Sequence, residues 1–204
     1  MVSKLSENGV AGFILANGAL SASGTEQRIR RKLVENDMVE AVIVLPNDMF
    51  YTTDLSVSLW ILNKDKSGGL ETKTASLKLI DRRNNVLFVD ARNFGSIYEK
   101  KFIRLNLEKD IQQIAKIFSA WRGLNAESPY IDVEELCYSA SSAEIEAADF
   151  SLVPSTYIKF RDDLKFLKYE ENLTEIREEV ISAIKENDHL DSKLCTILKH
   201  LTSK

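Results

Sequence analysis

The sequence predicts an α/β fold, and three consecutive segments carry this prediction. Residues 10–20 form a mostly apolar run that is too continuous for a half-solvated strand, so we expect a strand buried on both faces. Residues 25–36 have helical periodicity, and a second apolar run at 39–45 follows at once. The order strand, helix, strand is typical of a βαβ unit, whose crossover should be right-handed.

The ends of the first helix can be predicted from its flanking residues. The preceding strand is expected to stop at Asn17 and Gly18. Ser23 or Thr25 is the candidate N-cap, because a side-chain oxygen there can accept from the first backbone N–H groups. Asn36 is expected to close the helix. The apolar positions recur at helical spacing beside a basic run: Ile29, Leu33 and Val34, with Arg28, Arg30, Arg31 and Lys32.

Two further strands and a second helix are predicted along the chain. The β-branched and aromatic content of residues 55–64 favours a third strand, and residues 87–90 form a short fourth one. Residues 107–121 carry apolar side chains on one helical face, with Gly123 as the expected stop. Residues 45–53 form a loop at the carboxyl end of the second strand, which is where open α/β sheets bind ligands.

The last part of the chain has a heptad pattern. Apolar residues alternate steps of three and four over about four heptads, and the polar Asn187 occupies one core position. The core positions are Leu173, Ile176, Val180, Ala183, Asn187, Leu190, Leu194, Ile197 and Leu201. The pattern predicts either a coiled-coil helix with a partner or two helices that fold back on the domain, since periodicity does not identify the partner.

Composition excludes several classes of protein. The 44% hydrophobic and 28% charged content excludes a disordered chain, and the net charge of −4 gives no global indication of nucleic-acid binding. Cys137 and Cys195 belong to no Cys/His cluster, which argues against a structural zinc site and a disulfide framework. A reducing, cytoplasmic location is expected, and no run of about 18 apolar residues predicts a membrane span.

Charge is unevenly distributed along the chain. Residues 71–104 contain eight basic and four acidic side chains, a local charge of +4 in an acidic protein. Such a stretch could follow a phosphate backbone without sequence preference, or it could be an ordinary solvated face. Catalytic patterns are largely missing: both histidines lie near the carboxyl terminus, and neither GxGxxG nor GxxxxGK[ST] occurs.

The loop 45–53 is the segment that points to chemistry. Its adjacent aromatics, Phe50 and Tyr51, are flanked by polar residues at a strand end, which core packing alone explains poorly. An aromatic ring there could stack on a base taken out of a duplex, a contact worth about 1–3 kcal/mol. The alternative is a core Phe50 beside a surface Tyr51.

Five segments resemble, in the same order, the modification subunit of type I restriction-modification systems. They are ANGALS at 16–21, IRRKLVENDMVEAVIVLPNDMFYTTDLSVSLWILNK at 29–64, LFVDARNFG at 87–95, AWRG at 120–123 and EIEAADFSLVPSTYI at 144–158. Because these segments occur in the same order over most of the chain, it is identified as a member of this family.

The resemblance implies an adenine-N6 DNA methyltransferase that uses S-adenosylmethionine. Such subunits act on double-stranded DNA together with a DNA-specificity subunit and a restriction subunit. The chain resembles their carboxyl-terminal portion, the back half of a Rossmann-like, seven-stranded methyltransferase sheet followed by a helical tail. The implied division is a partial methyltransferase domain at 1–125, a connecting segment at 126–160 and a helical tail at 161–204.

Two functional motifs of the family are absent from these 204 residues. The FxGxG-type cofactor motif and the NPPF-type motif both precede the strand that corresponds to residues 10–15, and neither occurs here. We therefore expect that the chain alone binds no cofactor and is inactive. Cutting the sheet at this point would expose a strand edge, so we also expect aggregation or oligomerisation unless the front half is supplied.

By similarity, Phe50 matches the aromatic residue that packs on the extruded adenine, with Tyr51 as the alternative. Ser155 and Thr156 replace a Gly and an Arg that relatives carry, so the role of that arginine is not transferred. Four tail residues are expected to dock on the helices of the specificity subunit: Leu190, Leu194, Ile197 and Leu201. The alternative function is a non-catalytic interaction module that docks the same subunit. No metal site is expected.

Overall fold

The computed structural model describes residues 2–68, 79–99, 101–124, 129–160 and 177. Its strands are β1 (Val10–Ala16), β2 (Val39–Val44), β3 (Val57–Asn63), β4 (Asn85–Asp90), β5 (Ser96–Tyr98), β6 (Phe102–Arg104) and β7 (Cys137–Ser141). Its helices are α1 (Thr25–Glu35), α2 (Gln112–Trp121) and α3 (Ser142–Ala147), with 3-10 turns at Val2–Lys4, Asn17–Leu20 and Pro154–Thr156 and a π turn at Leu107–Ile111.

Within these residues the main sheet has five strands in the order β1-β3-β2-β4-β7. The β3 strand runs antiparallel to both β1 and β2, whereas β2 and β4 are parallel and β7 is antiparallel to β4. The predicted strand, helix and strand are therefore confirmed, and β1 and β2 point the same way. They are not neighbours, because β3 lies between them. The fold is α/β with a mixed sheet.

The prediction that the first strand is buried on both faces is wrong. Val10 and Ile14 of β1 are 46% and 51% exposed, and Leu15 is exposed as well. The physical reason is position, because β1 lies at the sheet edge with β3 on one side and no strand on the other among the described residues. The second apolar run, in contrast, forms β2, all six residues of which are buried.

Each face of the sheet carries its own hydrophobic cluster, because successive strand residues point to opposite faces. Val42 and Val44 of β2 pack in one cluster, and Ala41 and Ile43 pack in the other. The first cluster also contains Leu20, Val34, Trp60, Phe88, Ile145 and Leu152. The second contains Leu87, Val89, Trp121 and Cys137, so Cys137 packs as the small hydrophobic residue that the sequence predicts.

The helix ends agree only in part with the sequence predictions. The N-cap of α1 is Gly24, which makes no side-chain capping bond, so the prediction of Ser23 or Thr25 as the cap is wrong. Asn36 is the C-cap, as expected. After α2, Gly123 has a φ of +77°, and the N–H groups of residues 123 and 124 donate to the carbonyls of residues 120 and 119. This pair of hydrogen bonds is a Schellman motif, and it confirms the predicted end of the helix at Gly123.

Several elements were not predicted. The β5–β6 hairpin and β7 are short, and β7 falls within the segment expected to be a connection. The α3 helix begins with a capping box, in which Ser141 and Glu144 bond each other's backbone N–H groups. The predicted helical tail lies outside the described residues, of which only Arg177 falls beyond residue 160.

Candidate functional site

The carboxyl ends of three strands lie along one border of the sheet, its carboxyl edge, which is distinct from the two lateral edge strands, β1 and β7. The strands β1, β2 and β4 run in the same direction, so the loops that follow them lie at this edge. The aromatic loop, residues 46–56, follows β2 there. It is tied to the segment after β1, because the N–H of Asn17 donates to the carbonyl of Ser56 at 2.9 Å. The Ser56 hydroxyl in turn donates to Asn47 Oδ1 at 2.6 Å.

Both aromatic side chains of this loop are outside the hydrophobic core. Phe50 is 37% exposed and forms a narrow antiparallel bridge with Thr53, and Tyr51 is 68% exposed. The ring of Tyr51 packs edge-to-face on Phe102 of β6, with 4.6 Å between the ring centroids. Met49, just before them, packs against the second core cluster. The loop is therefore anchored at Met49, while the two rings remain accessible.

A small pocket of about 100 Å³ opens at the same edge. Its polar lining includes Asn17, whose Oδ1 atom is buried without a hydrogen-bond partner. It also includes the ion pair of Asp90 and Arg92. The Nε and Nη2 groups of Arg92 donate to the Asp90 carboxylate at 2.5–3.0 Å. These bonds raise the pKa of the Arg92 guanidinium, so it stays charged. Ser155, which departs from the family pattern, lines this pocket too.

A second, larger groove lies between α1 and β1 and has a volume of about 620 Å³. Most of its lining is apolar: Val2, Phe13, Leu15, Ala19, Ile29, Leu33, Trp60 and Leu62, with Ser3, Glu26 and Arg30. An apolar groove of this kind suits a packed polypeptide segment better than a polar nucleoside.

Neither of these two cavities of the described residues fits S-adenosylmethionine. The carboxyl-edge pocket is smaller than the roughly 300–1,000 Å³ of typical small-molecule sites, and the larger groove offers few polar groups. Across the described ranges, no three His, Cys, Asp or Glu side chains come together as a metal site. Cys137 is buried, and burial raises the pKa of its thiol, which makes it a poor nucleophile.

The basic stretch at 71–104 does not form a continuous cationic surface in the part that the structure describes. Four of its cations are paired with carboxylates: Arg82 with Glu40, Arg83 with Asp81, Arg92 with Asp90 and Lys101 with Asp54. Arg82 is buried as well. These pairs reduce the charge available to a phosphate backbone, so the described residues give the prediction of nonspecific DNA contact little support.

The structure therefore brings Phe50 and Tyr51 to one edge together with residues that sequence reasoning missed. Phe102 gave no signal, because it lies in a three-residue strand without periodicity. The Asp90 and Arg92 pair could have been found, since Asp90 ends the predicted fourth strand and Arg92, of opposite charge, lies two residues further on. The predicted docking residues Leu190, Leu194, Ile197 and Leu201 lie outside the described residues. Among the helices that are described, none is long and apolar enough to cross a bilayer.

Comparison with known proteins gives one consistent family. A family model for N-6 DNA methylases matches residues 1–165. The type I restriction enzyme MjaIX methylase subunit of Methanocaldococcus jannaschii is 31% identical over 95% of this chain. The HindI methylase subunit of Haemophilus influenzae is 31% identical over 88%. The matches take up 32% and 38% of these relatives, so the chain spans about a third of their length.

Solved structures agree at the level of the fold. The methyltransferase subunit of a type I restriction-modification system from Streptococcus thermophilus matches with a TM-score of 0.61 at 23% identity, over 78% of this chain and 28% of that one. The M protein of the type I restriction enzyme EcoKI matches with a TM-score of 0.55 at 17% identity, over 91% of this chain and 42% of that one. These similarities show a shared fold.

Proposed function

The chain belongs to the N-6 DNA methylase family, and on that premise we propose that it carries the target-base half of an adenine-specific DNA methyltransferase of a type I restriction-modification system. Polypeptide that carries the FxGxG and NPPF motifs supplies the other half, which binds S-adenosylmethionine and positions the adenine amino group. Because methyl transfer requires donor and acceptor to be held in line at near-contact distance, this chain is inactive by itself.

The aromatic loop is the observation that carries this proposal. Its rings lie outside the core at the sheet edge where α/β folds bind ligands, and a core role for Phe50 does not fit its exposure. Phe50 stacks on the adenine that is extruded from the duplex, and Tyr51 is the alternative. The role of these residues is to hold the base while the other half transfers the methyl group.

The exposed edge of β1 supports the second part of the proposal. Apolar side chains on a strand with a free edge are unfavourable in water, and the apolar groove beside α1 adds to the same surface. The cofactor-binding half pairs with β1 and fills this groove. The five strands then become the back half of a Rossmann-like methyltransferase sheet.

Family membership supports a proposal about the partners. The curated relatives are methylase subunits of type I restriction enzymes, and one similar structure, with a TM-score of 0.52, concerns complex assembly of a type I system. We expect this chain to act on double-stranded DNA with a DNA-specificity subunit that selects the target and a restriction subunit that cleaves. Residues 190–201 are the expected docking segment for the specificity subunit.

The test of the base-stacking role is a substitution series in a reconstituted enzyme. The chain is co-expressed with a matching cofactor-binding polypeptide and the specificity subunit, and methyl transfer from S-adenosylmethionine to target DNA is measured. Phe50→Ala should lower the rate roughly tenfold to a hundredfold, because one stacking face is lost. Phe50→Trp should retain most of it.

Leu55 provides the matched control, since it is an exposed apolar residue of the same loop. Leu55→Ala should leave the rate unchanged. If Phe50→Ala leaves the rate of methyl transfer unchanged and Tyr51→Ala lowers it, Tyr51 is the stacking residue. If neither substitution changes the rate, the loop does not bind the base. Binding of the specificity subunit without any restored methylation would favour the interaction module instead.

A further inference from the structure

The β5–β6 hairpin stands beside the aromatic loop and contacts it through backbone and side chain. The N–H of Ile103 donates to the carbonyl of Asp48 at 2.9 Å. One residue away, the ring of Phe102 meets Tyr51 at 4.6 Å between centroids and an interplanar angle of 62°. This is the edge-to-face arrangement that aromatic pairs prefer. Both contacts join the hairpin to the loop segment that carries the two accessible rings.

A third contact between the hairpin and the loop is an ion pair. Lys101 Nζ lies 3.1 Å from Asp54 Oδ1, but both side chains are largely exposed. Water screens such a pair, and it contributes little to holding the loop. The ring contact and the backbone bond are therefore the contacts that fix the geometry.

The hairpin is itself fixed to the core at both ends. Phe94 before β5 and Leu105 after β6 pack against the second hydrophobic cluster. Gly95 turns the chain into β5 with a φ of +89°, and a Cβ atom there would lie 2.6 Å from Ile103 Cγ2. Only glycine fits this position, since any side chain would both strain the backbone and push the hairpin away. A continuous series of contacts thus runs from the core through the hairpin to the aromatic loop.

We propose that the β5–β6 hairpin is the positioning element of the target-base loop and that Phe102 is its positioning residue. This inference rests on the proposed function, in which Phe50 or Tyr51 stacks on the extruded adenine. Phe102 holds Tyr51 in place before DNA binds. The loop therefore loses less conformational entropy when the base enters the site. Phe102 acts through Tyr51 and needs no contact with the base.

The test uses the chain assembled with its cofactor-binding part and the specificity subunit. Base extrusion is followed by the fluorescence of 2-aminopurine at the target adenine, and the KM for S-adenosylmethionine is measured in parallel. Phe102→Leu should lower base extrusion about twofold to tenfold, the range expected when an aromatic pair is lost. The KM for S-adenosylmethionine should not change. Phe102→Tyr, which keeps the ring, should restore extrusion.

Two further variants decide between positioning and a general structural effect. Ile97→Ala removes the strongly exposed side chain of β5 and should leave extrusion unchanged. Combining Phe102→Leu with Tyr51→Ala should cost no more than Tyr51→Ala alone, because both remove the same contact. Equal extrusion by Phe102→Leu and the wild type overturns the positioning role. If Phe50→Ala and Tyr51→Ala also leave base extrusion unchanged, the proposed base-binding function itself is wrong.

A measurement on the unsubstituted chain covers the case in which Phe102→Leu does not fold. The amide of Ile103 donates to Asp48 across the contact between the hairpin and the loop. Its hydrogen exchange should therefore be slowed at least tenfold relative to an unstructured peptide. Exchange at the unstructured rate would mean that the hairpin does not hold the loop, and it would overturn the inference.

Discussion

The two edges of the main sheet are built very differently. The β7 edge has the sequence CYSAS, and several of its outer backbone groups are paired: the N–H of Ser139 donates to Asp132 Oδ1, and the carbonyl of Cys137 accepts from the N–H of Val133. The β1 edge has the sequence VAGFILA, with apolar side chains exposed and no strand beside it among the described residues. Proteins normally protect free edges. This difference supports the proposal that β1, rather than β7, is the edge at which another polypeptide segment joins the sheet.

The largest expected effect lies in β2, the interior strand between these edges. Glu40 is fully buried and accepts from Arg82 at 3.1 Å and Asn63 at 3.2 Å, with Arg122 at 3.5 Å. Glu40→Ala leaves the buried Arg82 without a counter-charge and should lower the free energy of unfolding by about 3–5 kcal/mol. Urea denaturation measures this, and the exposed Glu35→Ala should have no measurable effect. A small loss for Glu40→Ala would mean that this end of β2 is open to water.

Two isoleucines sharpen the comparison between the interior and the β1 edge. Ile43 in β2 is 1% exposed, whereas Ile14 in β1 is half exposed. Ile43→Ala should cost about 2–5 kcal/mol in the isolated chain, because it leaves a cavity. Ile14→Ala should cost about 0.5 kcal/mol or less. Equal losses in urea denaturation would show that another molecule already covers β1, for example in a dimer.

Alkaline pH probes the packing against β4. The ring of Tyr157 stacks on Phe88 at 4.4 Å, and burial raises the pKa of the Tyr157 hydroxyl to about 12. The Tyr157 hydroxyl therefore stays neutral to a higher pH in the folded state than in the unfolded state. This contribution of up to about 2 kcal/mol is complete below pH 10 and is lost as the pH rises through 12. Tyr157→Phe should reduce the loss of stability across this window, and an unchanged pH profile would contradict the account.

The smallest effect concerns the helices that follow the two edge strands. Ser141 caps α3 directly after β7, so Ser141→Ala should lower the free energy of unfolding by about 1 kcal/mol. Thr25 is the first residue of α1 and makes no capping bond, because Gly24 holds the cap position. Thr25→Ala should therefore stay within about 0.5 kcal/mol of the wild type. Thermal denaturation of the two variants compares them, and a larger loss for Thr25→Ala would reverse the assignment.

Sequence predicted the interior of this fold better than its edges. The β2, β3 and β4 strands follow from runs of apolar, β-branched and aromatic residues, and both longer helices follow from helical periodicity, because burial selects such patterns. The exposure of β1 could not be predicted, since its apolar run has the pattern of a covered strand whether or not anything covers it. The short β5 and β6 strands have too few residues to show a period.

The candidate site was predictable only in part from the sequence. Phe50 and Tyr51 stand out because two adjacent aromatics follow a buried strand. Phe102 lies about fifty residues further along, and only the folded hairpin brings it to Tyr51. The pocket with Asn17, Asp90 and Arg92 likewise depends on four chain segments that meet at the carboxyl ends of the strands.

In the proposed assembly, the β1 edge joins this chain to a cofactor-binding half. The most direct measurement is methyl transfer to target DNA, in the presence of the specificity subunit, by each half alone and by the two halves mixed. Neither half should be active alone, the mixture should be active, and Ile14→Lys should abolish both association and activity by placing a charge on the joining surface. Full activity of the mixture with Ile14→Lys, or no activity of the unsubstituted mixture, would contradict the account.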